Sequence, residues 1–238
     1  MIRWAVLALI WATPAAAVTC ENIESLGNSY TVCTVDAVAD DLRLFLRDEE
    51  GQNFGNFLNI DGMLEDAQLS FAMNAGMYHA DRSPVGYFMQ NGLQAMRVIL
   101  NAGPGNFGLL PNGVLCINDT DVKVYETLRF VDKGPACRDA TQSGPMLVID
   151  GALHPRFLSD GTSKYIRNGV GTIEDGSTAM FVISNNAVNF YDFGILFRDV
   201  LHTPNALYFD GKVSRLHAPS IGRSDLGFRL GPIVGVVE

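Results

Sequence analysis

Four stretches of the 238-residue chain join an apolar run to glycine and to a polar group of fixed chemistry: FAMNAGMYHADRSPVGYFMQNG, ATQSGPMLVIDG, YIRNGVGT and NALYFDGKVS. Read singly, each is a turn. Read together, they offer an amide at Asn74, an amide and a hydroxyl at Gln142 and Ser143, a guanidinium at Arg167 and a carboxylate at Asp210. That set suits a ligand that is anionic and rich in hydroxyl groups. The planar fork of an arginine donates two parallel charge-assisted hydrogen bonds to a phosphate, and adjacent glycines let backbone N–H groups approach the same oxygens. Amides and hydroxyls suit sugar hydroxyl groups, and Tyr78, Tyr87 or Tyr165 would present a ring to a sugar face, although each also fits an ordinary core or rim position. Asp210 ends an apolar run and precedes Gly211, so it reads either as a turn cap or as a carboxylate at the mouth of a pocket.

Other motifs carry less. GPGNFG at 103–108 matches the spacing of a dinucleotide loop, but LLPNG follows it where a helix N-terminus is required. There is no P-loop, H-E-x-x-H or G-x-S-x-G stretch. His79, His154, His202 and His217 are scattered, which disfavours a metal site, and no cofactor is expected. Asn118-Asp119-Thr120 fits a glycosylation sequon by pattern alone. The carboxylates of DDLRLFLRDEE read as solvated strand and turn residues.

The elements that must position these groups are mostly short strands. Candidates are LSFAMNAGMY running into a loop, GYFMQ, AMRVIL, GVLCIN, VKVYET, PMLVID, AMFVIS and ALYFDG, punctuated by Gly, Asn or Pro. The segment from SYTVCTVDA through DDLRLFLRDEEG reads as a β-hairpin with Leu42, Leu44 and Leu46 on a buried face. A short helix is expected around IDGMLEDAQ. A stronger helix signature lies in VNFYDFGILFRDVL, with Phe190, Phe193, Leu196, Phe197 and Leu201 at three- and four-residue spacings. Together they predict an α+β single domain with a twisted mixed, mostly antiparallel sheet core and few helices.

Residues 1–17 read as a signal peptide: Arg3, the apolar WAVLALIWA, then Pro14 and an alanine run ending at Ala17. Residues 18–238 then form one domain, periplasmic or secreted, with no membrane insertion. The formal net charge of −9 argues against a nucleic-acid surface. Cys20, Cys33, Cys116 and Cys137 favour disulfides in an oxidising compartment; of three connectivities, the sequential one closes two short loops and is preferred. Oligomeric state is not legible.

Several of these segments occur in a recognisable order. Asn74-Ala75-Gly76-Met77-Tyr78, Pro84-x-Gly86, Asn112-Gly113-Val114, Gln142-Ser143-Gly144-Pro145, Arg167-Asn168-Gly169-Val170-Gly171 and Ala206-Leu207-Tyr208-Phe209-Asp210-Gly211 with Ser214 resemble the phosphodiester glycosidase family. The resemblance extends to GPIVGVV near the end, and the chain after residue 17 is similar to the family's bacterial exported branch. It implies hydrolysis of a sugar-1-phosphodiester or related glycan in one pocket. For such a substrate Arg167 would clamp the phosphate with amides near Gly144 and Gly169, and Asp210 would serve as base for water or stabilise an oxocarbenium-like transition state. Asn74, Gly76, Tyr78, Gln142, Asn168, Gly211 and Ser214 would complete the substrate site. Ser143 would orient substrate; it is a weaker candidate nucleophile, since no local histidine base accompanies it. Where the family often has Asn-Gly-Gly-Phe-Phe and Asp-Gly-Gly-x-Ser, this chain has Met77-Tyr78 and Lys212-Val213, which is compatible with a bulkier or more acidic substrate. The alternative is a non-catalytic envelope protein that binds glycan through the same pocket; a peptide or phosphoester hydrolase has less support.

Overall fold

The computed structural model describes residues 18–238, so the leader expected at 1–17 lies outside the described residues. In chain order the elements are β1 (Thr19–Ser25), β2 (Asn28–Asp36), β3 (Asp41–Phe45), α1 (Phe57–Asp61), β4 (Leu69–Asn74), β5 (Phe88–Gln90) and β6 (Leu93–Met96). Then come β7 (Gly113–Ile117), β8 (Val122–Glu126), α2 (Thr127–Lys133), β9 (Asp139–Ser143), β10 (Met146–Ile149), β11 (Ala152–Leu153) and β12 (Asn168–Thr172). The chain closes with β13 (Thr178–Ser184), α3 (Phe190–Ile195), β14 (Asn205–Asp210), β15 (Leu216–Ala218), β16 (Arg223–Ser224) and β17 (Ile233–Val237).

The strands form three sheets, ordered β1-β2-β13-β12-β14-β10-β11, β16-β15-β4-β17-β3 and β6-β5-β9-β7-β8. One face of each sheet turns into a shared core, where Val35 and Phe181 meet Leu42, Phe71 and Val234 and also Phe88 and Leu115. Each outer face is covered by a helix. Phe193, Leu196 and Phe197 of α3 and its π-helical continuation Leu196–Val200 pack on Tyr30, Val182 and Tyr208. Phe57 and Ile60 of α1 cover Leu69 and Ala72, and Phe130 of α2 covers Val114 and Tyr87. This is the α+β single domain that the sequence predicts, with 40% strand and 12% helix.

Disulfides join Cys20 to Cys33 across the β1–β2 hairpin, with Cα atoms 4.0 Å apart, and Cys116 to Cys137, tying β7 to the segment before β9.

Three local expectations need correction. β2 and β3 do not form a hairpin: β2 pairs with β1 and β13, while β3 pairs with β17 in another sheet. Leu42, Leu44 and Leu46 are buried as expected, but a buried face does not specify its partner strand. The first helix lies earlier than 60–68, because the Asn56 side chain accepts from Asn59 N–H at 2.8 Å and Phe57 and Ile60 are the residues that pack. Finally, ATQS and NGVGT are not loops but the interiors of β9 and β12, buried throughout.

Those β12 glycines serve packing. A Cβ at Gly169 would lie 2.5 Å from the Leu207 carbonyl oxygen on the neighbouring strand, where backbone has little room to yield. Gly169→Ala is therefore expected to lower unfolding free energy by about 1–3 kcal/mol, read as a reduced urea midpoint with unchanged slope; an unaltered midpoint would contradict this packing role.

Candidate active site

The first sheet delivers the central groups through one register. β12 runs antiparallel to β14, with Asn168 opposite Asp210 and Gly169 opposite Tyr208, so Phe209 is an extra residue in a β-bulge. The start of β12 and the end of β14 thus meet at one edge. The hydroxyl of Ser143, fully buried at the end of β9, donates to the Phe209 carbonyl at 2.9 Å and satisfies the bulge.

Behind this edge lies a buried amide cluster. Asn168 Nδ2 donates to the Asn74 carbonyl at 2.8 Å and lies 3.1 Å from Asn74 Oδ1, which also accepts from Arg215 N–H at 2.9 Å. Asn168 Oδ1 accepts from the Asp210 backbone N–H at 3.2 Å, and the Ser214 hydroxyl donates to the Asp210 carbonyl at 2.8 Å. Asn74, Asn168 and Ser214 therefore clamp the ends of β4, β12 and β14. Gln142 plays a comparable part nearby: its Oε1 accepts from Tyr87 and Ile99 N–H, each at 3.0 Å, and its Nε2 donates to the Ile99 carbonyl at 2.7 Å.

In front of the edge is a cleft of about 720 Å³. Of the residues singled out in the sequence, Tyr78, Tyr165, Asp210 and Gly211 line it, with Lys212 beside them. Asn74, Gln142, Ser143, Asn168 and Ser214 stand behind it in the bonds just described. Gly76 and Gly144 pack against Thr141 and Asn112, Gly169 lies mid-strand, and Tyr87 belongs to the α2 cluster.

Arg167 occupies the layer beneath. It is fully buried, yet its Nε and Nη2 donate only to backbone carbonyls, of Val188 at 2.9 Å and Ser163 at 2.8 Å. Its guanidinium carbon sits 3.6 Å from the ring centroid of Phe190, supplied by the first residue of α3, and 5.4 and 5.5 Å from those of Tyr208 and Tyr165. No carboxylate among the described residues forms an ion pair with it, and although Arg167 and the buried Tyr208 hydroxyl interact, neither Nη1 nor that hydroxyl completes a hydrogen bond of ordinary geometry. Burial lowers the affinity of Arg167 for its proton, and Tyr208 partly offsets this. Burial also pushes the Tyr208 phenol well above its usual range, so it remains a neutral O–H donor. Gly211 leaves room for that hydroxyl, since a Cβ there would lie 2.2 Å from it.

Asp210 has a divided role. Oδ1 accepts from Gly211 N–H at 2.6 Å and Lys212 N–H at 2.9 Å, so the carboxylate caps its own turn while also lining the cleft. Burial raises its pKa above the usual carboxylate value, against the lowering effect of those amides and of Lys212. It is the cleft's one carboxylate among the described residues and shares the lining with Arg82, Lys212, Arg229 and His79. Among the described residues, no group of three or more His, Cys, Asp or Glu side chains is arranged to hold a metal ion.

Sequence reading missed Tyr208, although period-two alternation places it on the same strand face as Asp210. Asn106 and Phe107, in the rejected GPGNFG stretch, also line the cleft, as do Arg82, Phe228 and Arg229 from loops with no local signature.

Residues 67–216 match the family model described as phosphodiester glycosidase. The uncharacterized protein YigE of Escherichia coli is 32% identical over 188 residues, covering 77% of this chain and 72% of that protein. Among solved structures, the catalytic domain of zebrafish N-acetylglucosamine-1-phosphodiester alpha-N-acetylglucosaminidase, auto-inhibited by its pro-peptide, superposes with a TM-score of 0.62 at 11% identity, covering 92% of this chain and 81% of that one. A Burkholderia pseudomallei protein described as exported gives 0.51 at 10% identity, covering 88% and 74%. Such low identities speak to the fold alone; the family match and the closer relative together show that the chain belongs to the phosphodiester glycosidase family.

Proposed function

We propose that the protein is an exported glycosidase that hydrolyses the bond between a sugar C1 and the phosphate of a sugar-1-phosphodiester. The observation that carries this reading is the buried Arg167 without an anionic partner, in the layer beneath a cleft with several cations and a single carboxylate. A buried guanidinium with an unused donor is costly to maintain, and a phosphate oxygen would satisfy both its charge and its Nη1. Export is supported by the two disulfides and by the leader-like residues 1–17.

A single carboxylate is also informative. Ordinary glycosidases use two, one to protonate the departing alkoxide and one on the opposite side of the anomeric carbon. A phosphodiester departs from C1 with the bonding electron pair on a phosphate oxygen, leaving a phosphate monoester that needs little protonation. Stabilising that charge is then the main task, which this reading gives to Arg167, the Tyr208 hydroxyl and Lys212. Asp210 stabilises positive charge developing at the anomeric centre and takes a proton from the water that attacks C1. Ser143, whose hydroxyl is committed to the Phe209 carbonyl, acts through the bulge that aims Asp210 and Tyr208.

Free sugar release from a panel of sugar-1-phosphodiesters tests the assignment. Arg167→Lys, which keeps the charge but loses the fork, and Asp210→Asn should each lower kcat by about 10²-fold or more; wild-type activity in both variants would remove these residues from the mechanism. Sugar-phosphate binding without turnover by wild-type protein would instead favour the glycan-binding alternative.

As a base, Asp210 must be ionised, so kcat/KM should rise through a limb displaced above the ordinary carboxylate range. Its raised pKa means that the folded state holds this proton more tightly than the unfolded chain. Stability therefore falls as pH rises from the unfolded pKa through the folded one. Asp210→Asn, which retains an oxygen acceptor for both amides, should remove this stability loss as well as the kinetic limb. Parallel pH profiles of kcat/KM and thermal midpoint check both signs.

Ser143→Ala should cost about 1–2 kcal/mol of stability and leave easily measured turnover. Complete loss of activity in a folded Ser143→Ala protein would restore the serine as a nucleophile.

A further inference from the structure

The loop after β16 holds two large apolar side chains in water. Leu226 and Phe228 are 82% and 81% exposed, more than any other large apolar side chain among the described residues. Single exposed apolar residues are ordinary, but this pair is held in place. Gly227 between them has φ +143°, and a Cβ there would lie 2.4 Å from Arg215 Nη2. Arg215, buried at 9% exposure, donates from Nη1 to the Phe228 carbonyl, while its backbone N–H donates to Asn74 Oδ1. The amide cluster behind Asp210 thus also buttresses this loop.

The two side chains border different hollows. Phe228 lines the active-site cleft together with Tyr78 and Arg229. Leu226 lines a second groove of about 260 Å³ with Phe57, Leu58 and Leu230 and with the polar Asn56, Arg215, Ser224 and Asp225; Leu58 is itself 64% exposed. Exposed apolar side chains, Phe228, Leu226 and Leu58, thus run from the cleft lining into the second groove.

We propose that the alcohol esterified on the far side of the substrate phosphate carries a hydrocarbon chain, which lies over Phe228 and Leu226 toward Leu58. This rests on the sugar-1-phosphodiester reading above. Asp210 and Phe228 line the same cleft, so an aglycone leaving a sugar held at Asp210 passes Phe228, and a hydrocarbon chain there removes these otherwise wetted side chains from water. The substrate class is a glycosyl phosphate with a lipid-like aglycone.

Methyl and hexyl diesters of one sugar-1-phosphate, both used as monomers in solution, test this. Wild-type protein should show kcat/KM about tenfold or more higher for the hexyl diester, since each methylene buried adds a few-fold. Phe228→Ala and Leu226→Ala, both at exposed positions, should bring the hexyl-to-methyl ratio towards one. A ratio near one in wild-type protein, or one unaltered by both substitutions, overturns the proposal. Calorimetric binding of hexyl phosphate against methyl phosphate separates this result from failure of the hydrolase reading. If neither diester is turned over, a hexyl preference that the substitutions erase still supports the chain-binding surface, whereas equal binding of the two phosphates refutes it.

Discussion

The contact between Asn74 and Asn168 is the constraint on which the cleft depends. It joins the end of β4 in one sheet to the start of β12 in another, with both side chains fully buried. Amides suit this junction because each offers donors and an acceptor, so a single pair also engages the Asp210 backbone and Arg215. A buried polar cluster of this kind is stabilising only when its groups are satisfied. The cluster fixes where the strand ends stand and therefore where Asp210 faces the cleft.

Two charges near that junction remain apart. Arg167 immediately precedes β12 and Asp210 ends the neighbouring β14, yet the guanidinium bonds to carbonyls and aromatic faces while the carboxylate bonds to the amides of its own turn. Had they paired, each would have neutralised the other and left little field for a ligand. Kept separate in a partly dry setting, they cost folding free energy and leave the guanidinium without an anionic partner. The rings of Phe190, Tyr165 and Tyr208 make this separation tolerable, since their faces accept a cation without cancelling its charge.

Much of the fold was legible. Short apolar runs ended by Gly, Asn or Pro mark β4, β7, β8, β10, β13 and β14, and the spacing of Phe190, Phe193, Phe197 and Leu201 marks α3. The β2–β3 pairing failed because alternation reports a buried face and not the neighbour that covers it. β9 and β12 are not legible as strands because their Thr, Gln, Asn and Gly residues look like turn chemistry; mid-sheet burial imposes a different logic, in which small or fully bonded side chains are what fits. At the site, Asp210, Tyr78, Tyr165 and Gly211 reach the cleft, whereas Asn74, Gln142, Ser143, Asn168 and Ser214 stand behind it as hydrogen-bonded supports.

The amino-acid sequence by itself determined the family, the strand-rich α+β character and the polar residue types gathered at strand ends, because local periodicity and ordered motifs are properties of the chain. Only the tertiary structure decided which polar groups face the cleft and which serve as buried clamps. That choice turns on the bulge at Phe209, the cross-sheet register and the approach of loops carrying Arg82, Asn106 and Arg229. The physical reason is that a side chain's direction follows from its strand's pairing, and pairing is set by residues distant in sequence.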